Sequence, residues 1–457
     1  MGIVTVNVSQ QSAPAPSTLQ KTGALISQGA TTTAPNTSTF LTQLSDLTAI
    51  LKGALANSTL VWSSGTVTVT TAAPHGLTVA DVLSLTIAGA SPSGYNGTFQ
   101  CTVTGASTFT YPLVGNPGVN TVPGTWTPED VAELNAMATT FFAQGTHQGV
   151  FVLELGPGNA ADGVTALGTY ITANPGVFYA YLVPRFWDAA ASFLTFLAGF
   201  ESTTSKTYFF VTTTTGNYTS YTALMKDVVA LVEAPGIPST EFSLAAAFYV
   251  MLNYAPSSSN RVTPFAFSFL VGVTPYPLKG NNALLAAIAA ANVNYVGTGA
   301  EGGLSNAVLF NGTTMDGNDF TYWYSVDWVQ ITVDQAIANA IINGSNNPAN
   351  PLYYNQDGIN RLQAVATSTM NSGVAFGLVL GVPTQTALVP NDLNAAIAAG
   401  AFTGITDVNA VPFIPYSQLN PGDYKLGKYA GLTIVYVPAR GFKAIVFNVL
   451  VSQFVAA

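Results

Sequence analysis

The spacing of hydrophobic and polar positions changes period several times along the chain, and each change marks an element. Val4, Val6 and Val8 alternate with Thr5, Asn7 and Ser9, the period of a half-buried strand, and Pro14 and Pro16 then hold the chain extended. A lone strand leaves its backbone donors and acceptors unpaired, so this one needs a partner from elsewhere. "LSDLTAILKGAL" (44–55) predicts a short helix with Ser45 or Asp46 as its N-cap. From Val61 to Trp126 the period drops to two. "TVTVTT", "VLSLTIAG", "GTFQCTVTG" and "TFTYPL" are short strands separated by Gly, Pro, Ser and Asn turns. They predict a small all-β module, 61–127, inserted between stretches of helical sequence.

A helix start follows in "TPEDVAELNAMATTFF": Thr127 caps, Pro128 takes the first helical position, and Asp130 completes a capping-box-like arrangement. Val131, Leu134, Ala138 and Phe141 line one face. Strands "VFVLEL" (150–155), "VFYAYLV" (177–183) and "TYFFVTT" (207–213) then alternate with helical stretches around 160–173 and 188–199. That alternation predicts an α/β sheet with crossover helices. Beyond Leu278, "NNALLAAIAAAN", much of "DFTYWYSVDWVQITVDQAIANAII", "GINRLQAVATSTMNSG" (358–373) and "NDLNAAIAAGA" are helical. Two strand candidates close the chain, "GLTIVYVPA" and "FKAIVFNVLVSQFV". The last is apolar on both faces, with Ile445, Phe447, Val449 and Val451 on one and Val446 and Leu450 on the other, so it belongs inside a sheet or under neighbours. No repeat of 20–50 residues is visible.

Composition changes this picture in one respect. The 457 residues are enough for two to four domains, yet only 7% are charged (12 basic, 21 acidic), against about 25% in ordinary globular proteins. Apolar residues make up 48%, so the chain folds, and a folded chain with few charges repels itself weakly. A subunit covered by copies or partners has this composition; so does a protein adapted to a low-charge extracellular niche. The net charge of −9 provides no basic field for nucleic acid. The N-terminus has no basic start with a continuous apolar core, and runs such as "LAAAFYVML" (244–252) are too short to span a bilayer, so neither signal peptide nor membrane insertion is expected.

Candidate chemistry is sparse. Cys101 lies on an alternating strand and reads as a buried thiol, which leaves no internal disulfide framework. His75 follows a proline in a turn and His147 sits in "QGTHQG"; both read as surface loop residues. With no His-x-x-x-His pair and a single cysteine, no zinc site is expected. Neither G-x-S-x-G nor the phosphate-binding G-x-x-x-x-G-K-[ST] occurs. Gly297, Gly299 and Gly302 stand in G-x-G-x-x-G register, but strand-like sequence follows where a dinucleotide site needs a helix, so a loop explains them better. Asp316, Asn318 and Asp319 lack the glycine and distal glutamate of an EF-hand and read as a capped turn. N-x-[ST] sequons, among them those at Asn36, Asn57, Asn96, Asn217, Asn311 and Asn343, follow from the Asn/Thr-rich composition. Catalysis, cofactors and metals are therefore not expected. Lys425, Lys428, Arg440 and Lys443 place a third of the basic residues in the last 33 positions. They read either as lysines protecting an edge strand or as a docking surface for an acidic partner.

The order of these elements resembles that of the tail sheath proteins of contractile bacteriophages, in particular a divergent sheath-like group. "GALISQGATTTAPNTSTFLTQLSDLTAILKG" (23–53) is similar to the family's opening, a short strand and Gly/Pro loop leading to a helix. "MATTFFAQGTHQGVFVLELG" (137–156) resembles its "FF.nGG" step through Phe141, Phe142 and Gly145, with His147 and Gln148 departing from the second glycine. The segments around Asp327–Trp328 and "LYYNQDGINRLQAVATSTMNSGVAFG" are similar as well. The resemblance implies an α/β core with crossover helices, an inserted small all-β domain and extended N- and C-terminal β-arms. It divides the chain into an arm and linker (1–20), an α/β sheath domain (21–60 with 128–275), an outward-facing insert (61–127) and a C-terminal α/β assembly domain (276–457). It further implies that the arms, through Val4, Val6 and Val8 and through Ile445, Phe447, Val449 and Val451, add strands to neighbouring copies. Many copies would form a helical cylinder around a tail tube, assembled in the bacterial cytoplasm with baseplate and tail terminator proteins, and contract without nucleotide hydrolysis. Two alternatives are another tail protein or adhesin whose β-module binds a receptor or glycan, and a secreted low-charge hydrolase.

Overall fold

The computed structural model describes residues 19–145, 149–200, 206–221, 225–254, 256–257, 260–300 and 304–442. The expected N-terminal strand, His147 and the terminal arm from residue 443 onward, Lys443 included, lie outside them.

Along the chain, β1 (Gly23–Ser27) and β2 (Thr37–Leu41) lead into α1 (Leu44–Ile50). The helix starts one residue before Ser45. Asp46 sits inside it and reaches back to Thr42 N (2.8 Å), Thr42 Oγ1 (2.7 Å) and Gln43 N (3.2 Å), so neither Ser45 nor Asp46 is the cap. Next come β3 (Leu55–Ser63), β4 (Thr66–Thr71), β5 (Val82–Ala88), β6 (Gly97–Gly105), β7 (Thr108–Pro112) and β8 (Thr125–Pro128). They close into a barrel in the order β3-β4-β7-β6-β5-β8. Alternate residues point inward, so Val67, Val69, Leu85, Ile87, Cys101, Phe109, Tyr111 and Trp126 fill the interior. The barrel begins at Leu55 rather than Val61, because the first half of β3 completes the closure against β8, with Leu55 opposite Trp126.

α2 (Glu129–Phe142) follows without a loop. Thr127 and Pro128 belong to β8, so the helix starts two residues after the expected Thr127 cap, with Pro128 at the N-cap. Leu134, Ala138 and Phe141 are fully buried. β9 (Val150–Glu154), α3 (Ala160–Ala173), β10 (Ala180–Leu182), α4 (Ala191–Phe200), β11 (Tyr208–Thr213) and β12 (Val228–Val232) then alternate, followed by α5 (Ser243–Leu252) and α6 (Asn282–Ala290). β13 (Asn294–Ala300) and β14 (Leu304–Phe310) form an antiparallel hairpin.

Among the described residues these strands make one eight-stranded sheet, β14-β13-β12-β11-β10-β1-β9-β2, parallel except at its two edges. Ala24 and Ile26 pack with Val164, Leu167, Phe193 and Leu197 of α3 and α4. Gly23, one residue before Ala24 and so on the opposite face, faces α5: a Cβ there would stand 2.6 Å from Leu252 and 2.7 Å from Phe248. Helices therefore cover both faces, as parallel strands buried on two sides require. The segment 267–270 covers β14 through Phe267 N to Leu309 O (2.7 Å) and Leu270 N to Ala307 O (2.9 Å).

The remaining elements form a second compact unit, residues 255–262 and 322–439 with Leu19 and Gln20. The expected boundary at residue 276 falls elsewhere, because the 294–310 hairpin pairs into the large sheet. This unit holds most of α7 (Phe320–Ser345), then α8 (Gln356–Ala375), β15 (Val379–Leu380), β16 (Pro383–Thr386), α9 (Pro390–Ala398), β17 (Thr406–Ala410), α10 (Phe413–Leu419), α11 (Pro421–Leu426), β18 (Leu432–Val435) and β19 (Val437–Pro438). "GLTIVYVPA" is thus two strands in two sheets: β18 joins β16-β17-β18, and β19 pairs with β15. α8 buries Ile359, Gln363, Ala366 and Met370, a stripe at helical spacing, and Gln363 Nε2 donates to Thr386 O (2.8 Å) and Val408 O (2.7 Å).

Candidate functional site

Residues singled out for chemistry mostly have structural roles. Gly297 and Gly299 lie on β13, where an antiparallel partner follows instead of a helix, and a Cβ on Gly297 would meet the Phe310 ring at 2.7 Å. Asp316 closes its own turn, accepting from Thr314 Oγ1 (2.5 Å) and Asn318 N (2.9 Å). Among the described residues no cluster of His, Cys, Asp and Glu is arranged to hold a metal, and no helix is long and apolar enough to cross a membrane. Cys101 is fully buried in the barrel, and burial pushes its thiol up to about 12. Asp327 and Trp328 are buried in α7, Trp328 edge-on to Phe376 at 5.7 Å. His75 lies in the loop after β4 as expected, but it is half-buried: its ring sits 6.2 Å from Trp126 and 6.3 Å from Phe109.

In open α/β sheets ligands settle outside the carboxyl ends of the strands. Here that rim is taken up by internal hydrogen bonds. At the end of β9 the buried Glu154 carboxylate accepts from Ser27 Oγ (2.6 Å), Gly29 N (2.7 Å), Thr31 N (3.0 Å), Thr31 Oγ1 (2.7 Å) and Gly156 N (2.7 Å). Beyond β10 and β12, Arg185 holds Glu233 in a fork (2.7 and 2.8 Å) and donates to Glu241 O (2.7 Å), and its backbone N–H binds Glu133. Glu241 in turn accepts from Thr274 N (2.8 Å), Thr274 Oγ1 (2.6 Å) and Ser243 Oγ (2.8 Å). Sequence reasoning missed both carboxylate centres, since their donors come from loops far apart in the chain.

The 255–262/322–439 unit exposes several apolar side chains. Leu380, Val382, Ile397, Ile414, Leu419 and Leu426 are all more than two fifths exposed, Leu426 at 76%. Its three-stranded sheet has two edges, β16 and β18, beyond which no strand pairs among the described residues. The centre strand β17 is buried throughout. Lys425 and Lys428 belong to this unit, on α11 and the turn after it, and Lys428 stands 3.8 Å from Asp423. Arg440 donates to Asn318 Oδ1 at 3.3 Å.

No protein-family model matches the sequence, and no curated protein matches it. Solved structures do. A chain of the anti-feeding prophage (AFP) baseplate, from a 6-fold symmetrised cryo-EM structure, superposes over 99% of this chain and 100% of its own, at 12% identity and a TM-score of 0.51. The sheath tail protein Lin1278 from Listeria innocua superposes over 78% of this chain and 85% of its own, at 10% identity and a TM-score of 0.40, too loose to argue from. Likeness at such identity is likeness of fold alone, and over the whole chain that fold is shared with a component of the AFP baseplate.

Proposed function

We propose that this protein is a structural subunit of a contractile tail sheath, which self-assembles into a helical cylinder around a tail tube and contracts to drive it through an envelope. The observation that carries the reading is the fold shared over the whole chain with an AFP baseplate component. Three features of the chain support it. Charge is low enough for copies to lie against one another. Exposed apolar side chains on the 322–439 unit, Ile414 and Leu426 among them, offer area for contact between copies. Residues 2–9, whose alternation reads as a strand, would extend about 26 Å at the strand rise, enough to reach a neighbouring copy and satisfy their own backbone there. Energy for movement would come from better subunit contacts in the contracted state, so no catalytic group is needed. The barrel, as an insertion, would face outward. In the cell the subunit would assemble in the bacterial cytoplasm and end in the virion tail.

A second reading is a fixed, baseplate-proximal ring of the same fold, favoured by the assembly in which the AFP chain was seen. Negative-stain electron microscopy of the full chain beside a chain lacking residues 1–18 tests both. Hollow cylinders of indefinite length, lost on truncation, are expected. Single rings of fixed height would favour the second reading, and monodisperse particles from both chains would overturn assembly through the arm.

A further inference from the structure

The barrel wall is open along part of β3. Ser64 and Gly65, the two residues joining β3 to β4, both take positive φ (49° and 85°), the type I′ hairpin turn. Such a turn closes with a hydrogen bond between Ser63 and Thr66, so Ser63, Val61 and Thr59 direct their N–H and C=O groups to β4. Leu60 and Trp62 direct theirs the other way. On that side β8 pairs with Leu55 and Ala56, and Asn57 N donates to Gly124 O (3.0 Å). Past Asn57, no strand among the described residues pairs with β3 there. The chain just before β8 bends away instead, held by the Ser91–Val122 bridge (Ser91 N to Val122 O, 2.9 Å). A slot of about 490 Å³ lies between the two, with residues 58–62 in one wall and residues 118–121 in the other. In that second wall Val119 and Asn120 make no backbone hydrogen bond among the described residues.

Both walls offer backbone groups, and an extended segment placed between them satisfies both. Composition and pattern choose the segment. No charged residue lines the slot, and β3 carries none of the lysines or prolines that guard an open edge. Residues 2–9 carry no charged side chain either, so seating them there buries none unpaired. Thr59, Val61 and Ser63 are exposed on the outer face of β3, while Leu60 and Trp62 pack inward. A strand added alongside must therefore be apolar on one face and polar on the other, as Val4, Val6 and Val8 against Thr5, Asn7 and Ser9 are. The 443–457 segment is apolar on both faces and does not meet that requirement. The sheet edges β2, β16 and β18 offer partners on one side of an added strand, whereas the slot offers them on both. We propose that residues 2–9 of a second copy enter the slot as a strand beside β3, with Val4, Val6 and Val8 continuing the inner face of Leu60 and Trp62. Residues 10–18, between that strand and Leu19, reach up to about 30 Å when extended. The inference rests on the reading in which the arm adds a strand to a neighbouring copy, and it names the edge that receives it.

Cross-linking in the full chain tests this. Asn7→Cys and Val61→Cys are made in separate chains produced together in one host, so a short bismaleimide joins positions 7 and 61 only between copies. Cys101, the native thiol, is buried and does not compete. In parallel, Ser38→Cys on β2, Gln385→Cys on β16 and Thr433→Cys on β18 take the place of Val61→Cys. All four receiving positions are exposed, so these variants should melt with the parent. A covalent dimer joined at 7 and 61 is expected, identified by its cross-linked peptide. It should be lost when Val6→Lys is added to the Asn7→Cys chain, because the ammonium group would lie against the apolar floor of the slot. A link from position 7 to 38, 385 or 433 in place of 61 would overturn the inference and leave the strand-donating arm standing. So would the absence of any link in chains that still form cylinders, the slot then holding water only. Monodisperse chains without a link would overturn both this inference and assembly through the arm.

Discussion

Glu154 shows how a single side chain can fix a junction. Its carboxylate takes five donors from three segments: the end of β1, the following turn at Gly29 and Thr31, and Gly156 after its own strand. Hydrogen bonds to an ionised acceptor are stronger than neutral ones. Glu154→Gln would aim an amide N–H₂ at donors that need an acceptor, so urea unfolding should show a loss of about 2–3 kcal/mol with an unchanged slope. A loss below half that would mean the loops relax around the amide. Cys101 makes the opposite prediction, of inertness. Its thiol is pushed up to about 12 by burial, from 9.0 in the unfolded chain, so the folded state disfavours the thiolate. The sign follows: this contribution to stability is complete below 9.0 and lost as pH climbs toward 12. Native protein should resist iodoacetamide from about pH 7 to 9 and label only with urea present; native labelling that tracks pH would show that the barrel opens. Asp46 titrates the other way. Hydrogen bonds from Thr42 hold its carboxyl below 3.8, so what it gives α1 is present above that value and lost as acid protonates it. A chemical-shift titration should place its midpoint below 3.8.

At the level of elements, the barrel is separable by construction. Leu55 and Trp126 are opposite each other on β3 and β8, so the chain enters and leaves it at Cα positions about 5 Å apart. The sheet strands on either side of the insertion, β1, β2 and β9, pair with one another without it. Replacing residues 55–126 with a short Gly/Ser linker should leave a cooperatively unfolding protein with its helical circular dichroism intact. A chain that no longer unfolds cooperatively would make the barrel part of the folding core. The same elements show what could be read in advance. The barrel strands were legible because one face of each meets the core and the other meets solvent, so Val67, Val69, Cys101 and Phe109 alternate with Thr68, Thr102 and Thr110. β12 (VVALV) was not, since burial on both faces erases the alternation. β17 (TDVNA) was hidden for a different reason: a buried centre strand is not expected to carry Asp407 and Asn409. They are satisfied by Thr384 Oγ1 (2.8 Å), Thr386 Oγ1 (2.5 Å) and Leu388 N (2.7 Å), all distant in sequence from β17. The packing of His75 on Trp126 was illegible too, because only the closed barrel brings the two rings together.

For the molecule as a whole, the question is what would hold many copies together. With 7% of residues charged, ionic pairs are too few to dominate, and the exposed Leu380, Val382, Ile397, Ile414, Leu419 and Leu426 offer apolar area instead. Two consequences separate this from a charge-driven assembly. Particles formed by the full chain should persist in about 1 M salt, where exposed ion pairs are screened within about 3 Å. Ile414→Lys combined with Leu426→Lys should abolish them. Both positions are exposed, at 65% and 76%, and substitutions at such sites shift stability by no more than about 0.5 kcal/mol each. The double variant should therefore melt with the parent while sedimenting as a monomer, because an ammonium group buried in an apolar contact has no partner to offset its desolvation. If the variant assembles normally, this face is not the one that joins copies, and the open edges of β16 and β18 become the next surface to test.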